Sequence, residues 1–239
     1  MKLGALALDY DGTIANDGVL SPDVREAIAE VRQRGVAALL VTGRQVTDLR
    51  RVVGDLTCFD VIVGENGCVL DFPATGRHVL LAHPPPREFI QELRRCAIDV
   101  SVGEVVIGAD AAAAPAILEV THRMEQPLVL LFNRGQLMVL PQAVAKSTGL
   151  RQALFALGLS IHDTVGIGDA ENDHDLLDAC EVGVAVSWGS AALRAIADDV
   201  IEGDGPEAVA GYIRRLSRQP CLAAKRTGRR RLLLGRDVC

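Results

Sequence analysis

Four short, almost uninterrupted apolar runs constrain this chain most: Leu3–Leu8, Val36–Val41, Val61–Val63 and Val182–Val186, with Thr164–Ile167 a weaker fifth. Runs of Val, Leu and Ala without alternation have no polar face to turn to water. They fit strands buried on both sides of a parallel sheet. Helical spacing fills the intervals. Ser21-Pro22-Asp23 reads as a helix start, with Ser21 as the cap and Pro22 at the first position. Val24, Ala27, Ile28 and Val31 then recur at helical spacing until Gly35 stops the run. Gln45–Val53 and Lys146–Leu157 repeat the pattern, the second closed by Gly158. Strand and helix in alternation predict a doubly wound α/β fold around a parallel, Rossmann-like sheet.

The alternation changes in the middle. Residues 68–82 read as a hairpin turning near Pro73–Arg77, and Pro84-Pro85-Pro86 opens a helix that runs to about Cys96. An extended piece (Val100–Ile107), an Ala-rich helix (Ala111–Met124) and two strands come next. The strands, Leu128–Phe132 and Leu137–Leu140, flank the hairpin turn Asn133-Arg134-Gly135. This α-β-α-β-β block predicts a small α+β domain at 83–141, inserted after the third strand of a core made of residues 1–82 and 142–217. A basic tail occupies 218–239.

Charge narrows the partners. The tail carries seven Lys and Arg against Asp237, a net +6 in a chain of net −6, which leaves −12 on residues 1–217. A body that acidic argues against nucleic acid as a partner. No apolar run approaches the ~20 residues that span a bilayer, so no membrane is expected. The N-terminus reaches Asp9 and Asp11 too soon for a signal peptide, which predicts a cytoplasmic protein. The six cysteines form no C-x-x-C pair, so zinc and a disulfide framework are not expected. His174, between Asp173 and Asp175, reads as a solvated helix start.

The chemistry lies just beyond the end of each buried strand. The runs end in Asp9-Tyr10-Asp11-Gly12-Thr13, Thr42-Gly43-Arg44, Gly64-Glu65-Asn66-Gly67 and Gly168-Asp169-Ala170-Glu171-Asn172-Asp173. In open α/β sheets the ligand crevice lies outside the carboxyl ends of the strands. Carboxylates gathered there repel one another unless a cation joins them, and an all-oxygen set favours Mg²⁺. A dinucleotide fingerprint fails, because Gly166-Ile167-Gly168 leads to Glu171 where the third glycine belongs.

D-Y-D-G-T, T-G-R, a later lone Lys and G-D-A-E-N-D, in this order, resemble the four motifs of the haloacid dehalogenase superfamily. The inserted block and Glu65-Asn66-Gly67 resemble the type-two caps of its Cof-like phosphatases, and the short block is similar to the archaeal phosphoglycolate phosphatase type. The resemblance implies a phosphomonoesterase that acts on a small phosphorylated metabolite through an aspartyl phosphate. Asp9 would be the nucleophile and Asp11 the general acid and base. Mg²⁺ would be held by Asp9, the carbonyl of Asp11 and Asp169, with Asp173 nearby. Thr42 and the Gly43 amide would hold phosphoryl oxygens, and Lys146 would offset charge on the phosphorylated Asp9. Asn172 would orient Lys146 or Asp9, while Arg44 and Asn66 would touch substrate.

Blander readings stand beside these. Thr42 also fits a helix cap, Lys146 a solvated helix start, and Arg44 a surface ion pair. Ser187-Trp188-Gly189 stands where the superfamily often has Gly-Asn-Ala, so the single Trp lines the site or packs on the inserted block. A phosphomutase or phosphotransferase of the same fold, and a non-catalytic regulatory module, are the competing functions.

Overall fold

A computed structural model describes residues 2–133 and 135–218. Beyond Arg218, the basic tail lies outside the described residues, as does Arg134 of the expected hairpin turn. The elements run in the order β1 (Ala5–Leu8), β2 (Ala15–Asn16), β3 (Val19–Leu20), α1 (Pro22–Gln33), β4 (Ala37–Val41) and α2 (Val46–Val53). Next come β5 (Val61–Gly64), β6 (Val69–Phe72), β7 (Arg77–Leu80), α3 (Arg87–Arg95), β8 (Val100–Val102), β9 (Ile107–Asp110), α4 (Ala114–Arg123), β10 (Leu128–Asn133) and β11 (Gln136–Pro141). The chain closes with α5 (Lys146–Leu157), β12 (Thr164–Gly168), α6 (His174–Ala179), β13 (Val182–Val186), α7 (Ala191–Ile196), β14 (Asp199–Ile201) and α8 (Gly205–Arg218). Two compact units result, one combining the segment up to Leu40 with that from Leu154 onward, the other Val41–Ala153.

In the first unit five strands pair in the order β14-β13-β12-β1-β4, every pair parallel. The chain leaves β1 toward β4 on one side and returns to β12 on the other, so the topological switch point falls at β1 and β12. Each residue of β1, β12 and β13 is buried, as expected of strands covered on both faces, at ~1.5–3 kcal/mol for each large aliphatic side chain. This is the doubly wound α/β fold. Helix α1 starts at Pro22, buries Val24, Ala27, Ile28 and Val31, and ends at Gly35 with φ +82°. The Ser21 hydroxyl does not cap it but bonds Glu207 of α8 at 3.3 Å. Helix α8 lies along α1, its Arg214 reaching Asp23 at 2.7 Å and Glu30 at 2.8 Å.

In the second unit β5, β6 and β7 form an antiparallel ladder. Strands β8 to β11 make a separate antiparallel sheet in the order β10-β11-β9-β8. Helices α3 and α4 cover one face of that sheet, packing Phe89, Leu93, Ile117 and Val120 against Ile107, Leu137 and Val139. The piece expected to run extended from Val100 to Ile107 is instead two strands joined by a turn at 103–106, because Glu65 captures the turn's amides. The block is therefore α-β-β-α-β-β.

Candidate active site

The carboxyl ends of β1 and β12 carry the acidic cluster. Strand β1 extends one bond into the site, Asp9 N–H donating to Ile167 O at 2.9 Å. The chain then curls: Tyr10 O accepts from Ile14 and Ala15 N–H at 3.1 and 3.0 Å, with Gly12 at φ +82°. This turn sends Thr13 back under Asp9. The buried Thr13 hydroxyl lies 3.2 Å from Asp9 Oδ2 and 3.2 Å from Asp169 Oδ1, and its single proton is shared between them. After β12, Asp173 Oδ2 accepts the main-chain N–H groups of Asp169 and Ala170, each at 3.1 Å.

Asp9, Asp169 and Asp173 are all buried, and one carboxylate oxygen from each lies within 4.8 Å of the others. Two unit charges at that separation repel by about 3.5 kcal/mol at an effective dielectric of ~20. Buried, all-oxygen and convergent, the set fits a small hard divalent cation such as Mg²⁺. Asp11 is half-buried and bridges Ala15 through its main chain. Asn172 is half-buried in the short turn before α6, and His174 begins that helix.

The segment after β13 braces this cluster. Trp188 Nε1 donates to Gly12 O at 2.8 Å, and Ser190 N–H to Asp169 O at 2.7 Å. A Cβ on Gly189 would lie 2.5 Å from Asp169 O, so only glycine lets the turn after β13 pass so close. Of the two places open to Trp188, the structure supports the one at the site.

The remaining motif residues lie in the second unit. Thr42 is buried, and its hydroxyl accepts the Arg44 N–H at 3.1 Å, closing a turn over Gly43 rather than capping α2. Thr42 O accepts the Asn66 N–H at 3.0 Å, which joins the loop after β4 to the turn after β5. That turn is strained, with Glu65 at φ +48°, Asn66 at +57° and Gly67 at +101°. A Cβ on Gly67 would fall 2.0 Å from Ala145 O, so the start of α5 packs directly on the turn. Lys146 is the first residue of α5 and wholly buried, which overturns the solvated alternative. The Asn66 amide is buried, and its Oδ1 has no hydrogen-bond partner among the described residues. Arg44 pairs with Asp48 at 3.1 Å, the ion pair that stood as the alternative to a substrate contact. Hydrogen bonding from Arg51, with help from Arg44, pulls the Asp48 carboxyl below its ordinary range.

Two features carry more than the sequence alone revealed. Thr13 closes the D-Y-D-G-T motif, and a hydroxyl at that place was the signal for its role. Glu65 is fully buried and accepts the N–H groups of Glu104, Val105 and Val106, each at 2.8 Å. Burial, with the Glu65 charge beside it, pushes the Cys68 thiol up to about 12, so this buried cysteine is no nucleophile.

The chain matches the haloacid dehalogenase-like hydrolase family over residues 6–113 and 105–213. It is 26% identical over 205 residues to phosphoglycolate phosphatase 2 of Saccharolobus solfataricus, spanning 82% of this chain and 85% of that one. It is 28% identical over 226 residues to the phosphoglycolate phosphatase of Methanothermobacter thermautotrophicus, spanning 88% and 97%. The solved haloacid dehalogenase-like hydrolase of Bacteroides thetaiotaomicron shares the fold, with a TM-score of 0.75 at 19% identity over 90% of this chain and all of that one. The chain belongs to the haloacid dehalogenase-like hydrolases. Within them it is a phosphatase. None of its described helices is long and apolar enough to cross a membrane.

Proposed function

We propose that this phosphatase is Mg²⁺-dependent and hydrolyses the phosphate monoester of a small hydroxy acid, of the phosphoglycolate kind, through a phosphorylated Asp9. The observation that carries the reading is the convergence of Asp9, Asp169 and Asp173 at the switch point of the sheet. Their carboxylates, with the main-chain carbonyl of Asp11, would hold Mg²⁺, which supplies positive charge against the phosphate and lowers its repulsion of Asp9.

In the first half-reaction an Asp9 oxygen attacks phosphorus and the bond to the ester oxygen breaks. Asp11 gives its proton to the departing alkoxide. In the second, Asp11 takes a proton from water as the water oxygen attacks the same phosphorus, which frees inorganic phosphate and restores Asp9. Thr13 holds Asp9 by its shared hydroxyl proton, and Asp173 fixes the main chain at Asp169. Thr42, the Gly43 amide and Lys146 take the roles that the family's motif order assigns them, holding phosphoryl oxygens and offsetting charge. Residues 83–141 act as the cap that selects the ester.

The small-hydroxy-acid reading is supported by the names of the relatives and by the short block. A panel of phosphorylated metabolites assayed for phosphate release, with Mg²⁺ and with excess EDTA, tests it. Release from phosphoglycolate above other esters, abolished by EDTA, is expected. Equal turnover in EDTA would reject the metal site, and a preference for hexose phosphates would reject the substrate class.

A further inference from the structure

The open face of the four-stranded sheet is built around one row of side chains. On β11, Leu137 and Val139 point into the core under α3 and α4, so Met138 between them projects from the opposite face. The register places Leu131, Met138, Gly108 and Ser101 side by side across the sheet, and cross-strand partners share a face. The loop after β4 meets this row at two points. Gln45 Nε2 donates to Ser101 Oγ at 3.2 Å. A Cβ on Gly43 would lie 3.3 Å from both Sδ and Cε of Met138, so the thioether tip already rests on Gly43.

The sheet is held there from its other end. Glu65 anchors the turn at 103–106 by three main-chain N–H groups. A Cβ on Gly103 would lie 2.6 Å from Glu65 Oε1, so the turn and the carboxylate have no slack between them. Next to Met138 the row is open: a Cβ on Gly108 would meet nothing nearer than Ser101 Cβ at 3.7 Å.

We propose that Met138 is a specificity-determining residue that limits the alcohol of the phosphate ester to a small one. The inference rests on the phosphatase reading, in which the Gly43 amide holds a phosphoryl oxygen. An ester bound there has its first alcohol carbon three bonds from the held phosphoryl oxygen, through phosphorus and the ester oxygen. Met138 occupies space against Gly43, and beside it Gly108 brings no side chain to the row, so the length of Met138 sets how much room remains on this face next to Gly43. Shortening Met138 opens space on this face and leaves Asp9, Asp11, Asp169 and Lys146 unchanged.

The test compares kcat/KM for phosphoglycolate and glucose 6-phosphate in the wild-type chain, Met138→Ala, Met138→Val and Met138→Leu, all with Mg²⁺. Val keeps a strand-favouring side chain and so covers the case in which Ala destabilises β11. One methylene more or less where an apolar side chain meets the substrate changes discrimination by roughly 10–200-fold. The ratio for glucose 6-phosphate over phosphoglycolate should therefore rise at least ~10-fold in the Ala or Val variant and stay near wild type in the volume-conserving Leu variant. A wild-type ratio in both folded shortened variants overturns the Met138 proposal and leaves the phosphatase reading intact. An equal rise in the Leu variant also overturns it. Failure of the wild-type chain to hydrolyse either ester overturns the substrate reading on which the proposal stands.

Discussion

Asp173 Oδ2 accepts the main-chain N–H of Asp169 at 3.1 Å, inside a cluster where both carboxylates are buried. One carboxylate thereby sets the backbone from which another projects. Asp173→Asn keeps an oxygen for this bond but removes a charge from the cluster. It should fold and lose Mg²⁺ affinity by roughly 10–100-fold. Asp173→Ala leaves two buried N–H groups without an acceptor and should also cost about 1–3 kcal/mol of stability. Calorimetric Mg²⁺ titration and urea unfolding of both variants separate the two effects.

Lys146 is wholly buried at the start of α5. Lys146→Met keeps the length and apolar stem of the side chain while removing the ammonium. The variant should remain folded and lose kcat by ~10²–10³, the cost of deleting one group that stabilises developing charge. Steady-state kinetics with circular dichroism checks this. A folded variant with wild-type kcat would remove Lys146 from the chemistry.

His78 lies 3.3 Å from Asp71 and 2.8 Å from Glu104. Burial alone would lower its pKa, but the hydrogen bonds and charges of Asp71 and Glu104 outweigh it and the net shift is upward. A raised folded pKa means that His78⁺ stabilises the fold fully below the unfolded value of ~6.5 and loses that contribution as pH rises through the folded value. The stability difference between wild type and His78→Gln should be largest near pH 6 and shrink toward pH 9. Urea midpoints across that range measure it, and a difference that grows with pH would contradict the assignment.

Much of this was legible in the chain, for a physical reason. Strands such as Val182–Val186 and Leu3–Leu8 are buried on both faces, so their lack of polar residues is visible without any partner. The pairing of Asp9 with Asp169 was legible because each directly succeeds such a strand. Strand β14, with an exposed Asp199 and only Ile201 fully buried, lacks that signal. The anchoring of the turn at 103–106 was invisible, since a glutamate 39 residues from its first amide leaves no local pattern. The same holds for Met138, whose contact with Gly43 exists only once β11 has found its register.

The central claim is that Asp9 itself becomes phosphorylated, and chemical trapping tests it most directly. Enzyme quenched during turnover of phosphoglycolate with Mg²⁺ can be reduced with borohydride, which converts an acyl phosphate to an alcohol and leaves a free carboxylate untouched. Peptide sequencing should find homoserine at position 9, absent without substrate and absent in Asp9→Asn, which should also have lost nearly all phosphatase activity. Unmodified Asp9 in a fully active enzyme, or Asp9→Asn retaining a tenth of the wild-type rate or more, would contradict the account and place the attack on phosphorus with water instead.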